Sequence, residues 1–414
     1  MSQTDIRTPT QASVEGPAGA PSSGGSPSRL IRPDSLAGNV LPRWFLLACA
    51  AGGIVIGFAL QALLSLGAEE LSISWGLWFV LAAAAHLALA YGITRRQIGR
   101  RKAADEMGRN LVYVAFAIAM IPLISVIWSV TSDGVQGLTN AGFFTDDMSQ
   151  HNAQSSERRI HEGEEPMGGG VRHAIIGSLM ITLTATVISV PIGLLTSIYL
   201  VEYSRGGPLS RGITFFVDVM TGIPSIVAGL FGAAAVSVIL MVGSEAGLWS
   251  MGAGQYGMGI TASAALSVLM IPVVVRTTEE MLRVVPNELR EASYALGVRK
   301  WRTILKVVIP TAISGIAAGV TLAIARVIGE TAPILLTAGT LTRVNWDMLD
   351  TSGMMTLPVY IYQTFQYPTG TGDLSYLSEQ RAWGAALVLI TIVMLLNLAA
   401  RVIAHLFAPK KTGR

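Results

Sequence analysis

The sequence is poor in charge and almost devoid of cysteine. Asp, Glu, Lys and Arg make up 13% of its 414 residues, about half the share of an ordinary soluble domain. The net charge is only +3, so nothing favours a nucleic-acid partner. One cysteine, Cys49, excludes an intrachain disulfide. There is no Gly-x-x-x-x-Gly-Lys-Ser/Thr loop to cradle a nucleotide, so the chain does not hydrolyse ATP itself. His151 and His161 lack metal-ligand spacing, and no metal is expected. An integral-membrane enzyme would need paired carboxylates, a histidine cluster or a nucleophile constellation at one depth, and none is evident.

What is present is apolar length. Hydrophobic residues make up 51% of the chain, and the mean hydropathy is +0.54. A helix needs about 20 apolar residues to cross the hydrocarbon core. Eight stretches qualify: 44–66, 71–93, 111–131, 173–200, 213–243, 256–276, 311–338 and 383–407. The fold class is therefore an all-α polytopic membrane protein. Gly222-Ile223-Pro224 interrupts the fifth stretch and predicts a kinked or tilted helix. Pro191 and Pro272 read as kinks rather than sites, and His86 as a hydrogen-bonded packing residue. Residues 1–43, rich in Ser, Pro, Gly and Thr, read as a disordered tail, with no cleaved leader expected.

Basic residues set the expected orientation. With both ends in the cytoplasm, 22 of the 29 Lys and Arg residues fall on inner segments and five on outer ones. The remaining two, Arg276 and Arg326, lie at the edge of a span or inside one. The basic loop 94–110 sets two helices (44–110 with the loop) apart from the six in 111–414. Two outer segments are long. Residues 132–172 are polar. Residues 339–382 carry Trp346, Tyr360, Tyr362, Phe365 and Tyr367, which suits an interfacial helix, a docking surface or a plain aromatic belt.

The loop 277–310 holds the informative motif: Glu288-Leu-Arg-Glu291-Ala292-Ser293-Tyr-Ala-Leu-Gly297, nine residues, then Val307-Val-Ile309-Pro310. Glu291, Ala292, Ala295 and Leu296 favour helix, Gly297 stops it, and Arg299 to Lys306 predicts a second short helix. A charged helix-turn-helix of this kind is shaped to dock into a groove of another protein. The loop resembles the coupling loop of ABC importer permeases, with Ser293, Val307 and Ile309 as conservative departures. Two further stretches, Phe215 to Gly229 and Ala325 to Pro333, resemble phosphate permeases of the PstA type, over about 111–414. That resemblance implies a type I importer core in which Glu291, Ala292, Ser293, Gly297 and Pro310 couple to the ATPase. It implies as partners a homologous permease (PstC type), a dimer of ATP-binding subunits (PstB type) that use the ATP, and an extracytoplasmic phosphate-binding protein (PstS type). The substrate implied is inorganic phosphate, and the setting a lipid bilayer. The first two helices depart from the six-span pattern. Sulfate or molybdate is the alternative cargo.

Two arginines bear on that cargo. Arg326 falls near the middle of the 311–338 stretch, where an arginine costs roughly 2.5–3.5 kcal/mol on insertion scales. Glu330, one turn on, is expected on the same helix face. The two form either a packing ion pair or an anion path in which the guanidinium fork grips phosphate oxygens. Arg276, expected near the cytoplasmic end of its span, either snorkels to the interface or adds a second cation, a role implied by the resemblance. Glu330 is also suited to accept a hydrogen bond from phosphate, which carries a proton at neutral pH, and to repel sulfate, which does not. Asp218 reads as a packing or loop-bonding residue.

Overall fold

A computed structural model describes residues 42, 44–65, 74–151, 153–163, 168–204, 206–248, 250, 255–368 and 375–406. The tail expected over 1–43 lies outside them, Pro42 excepted. The elements are α1 Phe45–Ser65, α2 Trp75–Gln97, α3 Arg100–Leu138, α4 Ala153–His161, α5 Arg172–Ile198, α6 Pro208–Thr221, α7 Ser225–Glu245, α8 Gly259–Val284, α9 Asn287–Ala295, α10 Lys300–Thr303, α11 Ile309–Val327, α12 Ala332–Thr337, α13 Leu357–Gln366 and α14 Ser375–Leu406. Among the described residues, eight helices are long and apolar enough to cross a membrane, one for each expected stretch. The chain is a multi-pass membrane protein.

It divides into two compact units, Met1–Pro122 and Leu123–Arg414. In the first, α1 and α2 form a hairpin whose contact is set by small residues. A Cβ at Gly53 would meet the Ala82 carbonyl at 2.7 Å, and one at Gly57 would meet Ala82 Cα at 2.7 Å. Backbones approach this closely where glycine presents no side chain. His86 packs against Gly53 as expected, but its Nδ1 has no hydrogen-bond partner.

In the second unit α8 is the core helix. Two thirds of its most apolar window, 67%, is buried, against 33% or less in every other span. Its neighbours are keyed to it by small and hydroxyl residues. Ser263 Oγ donates to the Ile181 carbonyl of α5 at 3.2 Å, and Ser197 Oγ donates to the Val275 carbonyl at 2.9 Å. Gly193 lets α5 close on Val274, Gly232 lets α7 close on Ala265, and Gly315 and Gly319 bring α11 onto Met281 and Thr277. Pro191 and Pro272 sit inside unbroken helices.

Three expectations need correction. The fifth stretch is two helices, α6 and α7, separated at Gly222-Ile223-Pro224, because Pro224 has no N–H to continue the ladder. The seventh stretch is also broken, between α11 and α12. The short helix expected over Arg299–Lys306 is not separate. Lys300 to Val327 is one continuous crossing helix, widened to a π-turn at Ile304–Val308 just before Pro310, where the ring would clash with the preceding turn. Of the aromatic outer segment, α13 forms a short helix, but Tyr360 is buried in it rather than displayed.

The expected orientation has a direct check. With Cys49 replaced by Ser, a cysteine at Leu296, which is 83% exposed, stays unlabelled by an impermeant thiol reagent in intact cells. A cysteine at Glu162 is labelled. The reverse pattern inverts the topology.

Candidate substrate path and coupling loop

The glycine contacts fix the level of each charge. Gly319 lies against Thr277 and Gly315 against Met281, so α11 and α8 run antiparallel in a known register. Seven residues on from Gly319 and seven back from Thr277, Arg326 comes level with Met270, close to the midpoint of α8. Arg326 is exposed on this chain, in the last turn of α11.

The helix stops there. Pro333 cannot donate and would crowd the Gly329 carbonyl, so Ile328 to Thr331 leave the helix. The Glu330 N–H turns back to the Val327 carbonyl at 3.1 Å, and α12 starts afresh at Ala332. Arg326 and Glu330 are therefore not one turn apart on a single face. Among the described residues no hydrogen bond or ion pair joins them, and Glu330 is half-buried in the break. The second break, at residues 222–224, falls at the same level of α8, between the Asp218–Arg276 and Gly232–Ala265 contacts. Two discontinuous helices thus meet the middle of one continuous helix. Membrane transporters place non-helical backbone at mid-depth where it lines a cavity or a site.

Arg276 is answered within the chain. Its guanidinium bonds to Asp218 of α6 and, at 2.8 Å, to Glu279. Glu279 also binds Arg283 at 3.0 Å. Arg276 does not sit at the end of its span as expected, because α8 continues about two further turns to Val284. Asp218 is its partner rather than a loop-bonding residue.

The loop that resembles a coupling loop forms α9 and the turn that follows. Gly297 has φ of 71°. Val298 N–H reaches the Ser293 carbonyl at 3.2 Å and Gly297 N–H the Tyr294 carbonyl at 2.9 Å. These are the two bonds of a Schellman cap. Buried Ser293 joins its hydroxyl to that of Thr303 at 2.8 Å, tying α9 to the base of the next crossing helix. Glu291, Ala292 and Gly297 are exposed. So are Leu289, Leu296 and Trp301, the last in the first turn of the crossing helix.

Sequence reasoning missed the residue that anchors this loop. Glu202, in the π-turn Tyr199–Tyr203 that continues α5, is 5% exposed at its side chain and accepts from Arg290 Nε and Nη2 at 3.0 and 2.9 Å. Arg290 also donates to the Leu282 and Val285 carbonyls at 2.8 and 2.6 Å, covering the last open acceptors of α8. Lys300 Nζ bonds the Glu202 carbonyl and lies 5.1 Å from the Tyr203 ring centroid. The one sequence signal was an acidic residue closing an apolar run. Its partner is 88 residues away.

A core of broken helices around one buried helix, with a capped charged helix projecting beyond the spans, is the arrangement of a transport permease. Residues 189–413 match the family described as binding-protein-dependent transport system inner membrane component, and the chain belongs to that family. It is similar, with 41% identity over 304 residues, to the phosphate transport system permease protein PstA 1 of Mycobacterium tuberculosis, covering 73% of this chain and 90% of that one. The Mycobacterium leprae PstA is 41% identical over 299 residues, covering 72% and 88%. The Yersinia pestis PstA is 35% identical over 317 residues, covering 75% and 94%.

Two outcomes follow for the loop. Arg290→Gln leaves the buried Glu202 charge half-answered, at a cost of about 3–5 kcal/mol. The segment 285–299 becomes the first site of limited proteolysis, and Glu202→Gln combined with Arg290→Gln recovers much of the protection. At Gly297, Asn tolerates the left-handed backbone and keeps most uptake. Val, strained at positive φ, loses it while the protein still inserts.

Proposed function

We propose that the chain is one membrane-spanning half of an ATP-driven importer of inorganic phosphate. The observation that supports this reading most strongly is Arg326. It is an arginine level with the middle of the core helix, beside a helix break, exposed on this chain, with no carboxylate within ion-pair distance among the described residues. A guanidinium at that depth needs an anion or a polar path. The relatives named as phosphate permeases supply the chemical identity of that anion. The helix break between Arg326 and Glu330 supports this reading over a packing pair, which the double variant below tests.

In this reading a homologous permease completes the path opposite Arg326. An extracytoplasmic phosphate-binding protein delivers the substrate, and a dimer of ATP-binding subunits receives α9. ATP stays on those subunits, and this chain holds no cofactor or metal. Glu291 and Ala292 face the ATPase groove, Ser293 and Gly297 hold the shape of the loop, and Pro310 sets the π-turn at its base. Closure of the ATPases moves α9, and the helices that lead from it reopen the path on the other face. Arg276 is the inner cation, held by Asp218 and Glu279 until an anion competes for it. Glu330 accepts a hydrogen bond from protonated phosphate and repels sulfate. A sulfate or molybdate importer is the second reading, separated by competition.

At matched membrane levels, Arg326→Gln abolishes uptake of radiolabelled phosphate and Arg326→Lys retains little, since the ammonium lacks the two-pronged geometry. Arg326→Gln with Glu330→Gln stays inactive. Glu330→Gln alone keeps some transport but loses about 10- to 100-fold in discrimination against sulfate, the worth of one charged hydrogen bond. Full uptake in the double variant returns the pair to a packing role.

A further inference from the structure

At the end of the Leu123–Arg414 unit remote from α9, a cavity of about 350 Å³ opens between the 139–151 loop, the start of α5 and α13. His151, His173, Thr342, Tyr360, Gln363 and Thr364 line it. His173 is 2% exposed, and neither ring nitrogen has a hydrogen-bond partner. Its ring stands edge-on to Tyr360 with centroids 5.3 Å apart. Beside the cavity Arg381 is also 2% exposed. Its Nη2 donates to the Gly168 carbonyl at 2.9 Å, while Nε has no partner. No carboxylate lies within ion-pair distance of it among the described residues. A buried guanidinium left uncompensated is costly, and an anion relieves that cost.

The chain is shaped around this place. Gly168, Gly169 and Gly170 are all buried. A Cβ at Gly168 would come within 2.5 Å of the His151 ring, and Gly169 has φ of 75°. Two carboxylates stand near, Asp146 and Asp147. Asp147 spends its oxygens on the Ser149 N–H and hydroxyl and on the Val344 N–H. Burial works to raise its carboxyl, but those donors leave it below its ordinary value. His151 reports the local balance. Burial, then the charges of Arg381 and Arg159, hold its imidazole below the usual range, against a smaller opposing pull from Asp146 and Asp147. Among the lining residues, His173 and His151 keep ring nitrogens without partners, and the nearest fixed cation is Arg381 beside them.

We propose that this cavity is a second oxyanion site, which takes inorganic phosphate before it reaches the path at Arg326. The site rests on the phosphate reading above but uses none of the residues placed in that path. His173 and His151, neutral imidazoles, supply ring donors, and the buried Arg381 beside them supplies the charge. Thr342 stands exposed at the mouth.

The test uses the assembled transporter in membranes without ATP, with Cys49→Ser and Thr342→Cys. Inorganic phosphate slows labelling of Cys at 342 by an impermeant maleimide, to about one-tenth at ten times the dissociation constant, and chloride at equal ionic strength does not. Arg381→Gln and His151→Gln each remove the protection. If Arg381→Gln does not reach the membrane, His151→Gln on its surface loop decides alone. In an Arg326→Gln background, uptake is lost and protection stays. Uptake retained there with protection intact would count against the path and leave the outer site standing. Absence of protection by phosphate overturns the proposal. So does protection that survives His151→Gln, or protection lost with Arg326→Gln, which would place the anion in the path instead.

Discussion

Close approach to α8 is the constraint from which the second unit is built. A helix buried on most sides inside an apolar bundle gains little from hydrophobic burial, because lipid chains are as apolar as leucine. What holds its neighbours is contact distance and a few hydrogen bonds. Gly193, Gly232, Gly315 and Gly319 each present bare backbone to a named residue on α8, and Ser197, Ser263 and Ser267 donate across the gap. Interhelical bonds of this kind are worth about 0.6 kcal/mol each, so register comes from the sum of many small terms. That register places Arg326 and both helix breaks at one level.

The breaks and the charges belong together. An unbroken α11 would have put Arg326 and Glu330 side by side, where they would neutralise each other. Gly329 and Pro333 undo that, leaving a cation and an acid with separate surroundings. Arg276 has the opposite arrangement, since Asp218 comes to it from α6 immediately before the other break. Arg326 has no ion pair among the described residues, whereas Arg276 has two. Any anion moving between them exchanges one kind of environment for the other.

The number of crossings and the helix stop at Gly297 were legible in the sequence because both are local. An apolar run of about 20 residues needs no tertiary information to be recognised, and Gly297 announces a helix stop by its own conformational freedom. The breaks were half legible. Gly222-Ile223-Pro224 predicts a kink and is a full separation, while the apolar run over 311–338 predicts helix through Gly329 to Pro333, which misplaces Glu330. Residues whose meaning lies in distant partners were not legible at all. Glu202 needs Arg290, Ser293 needs Thr303, and buried Arg381 needs the carbonyl of Gly168, more than two hundred positions earlier. Pairings at such separations leave no periodicity behind them.

The continuity of the helix from Lys300 to Val327 has a mechanical consequence. From Lys300 to Arg326 the rod is about 39 Å long at 1.5 Å per residue. Its base is tied to α9 by two hydroxyls, Ser293 and Thr303. A rod hinged at that base and tilted by about 10° carries its far end sideways by roughly 7 Å, by the same helical geometry. That is more than a hydrogen-bond length and less than a helix diameter. A push too small to unfold anything at the α9 end is thus enough to change what the guanidinium at the other end can touch.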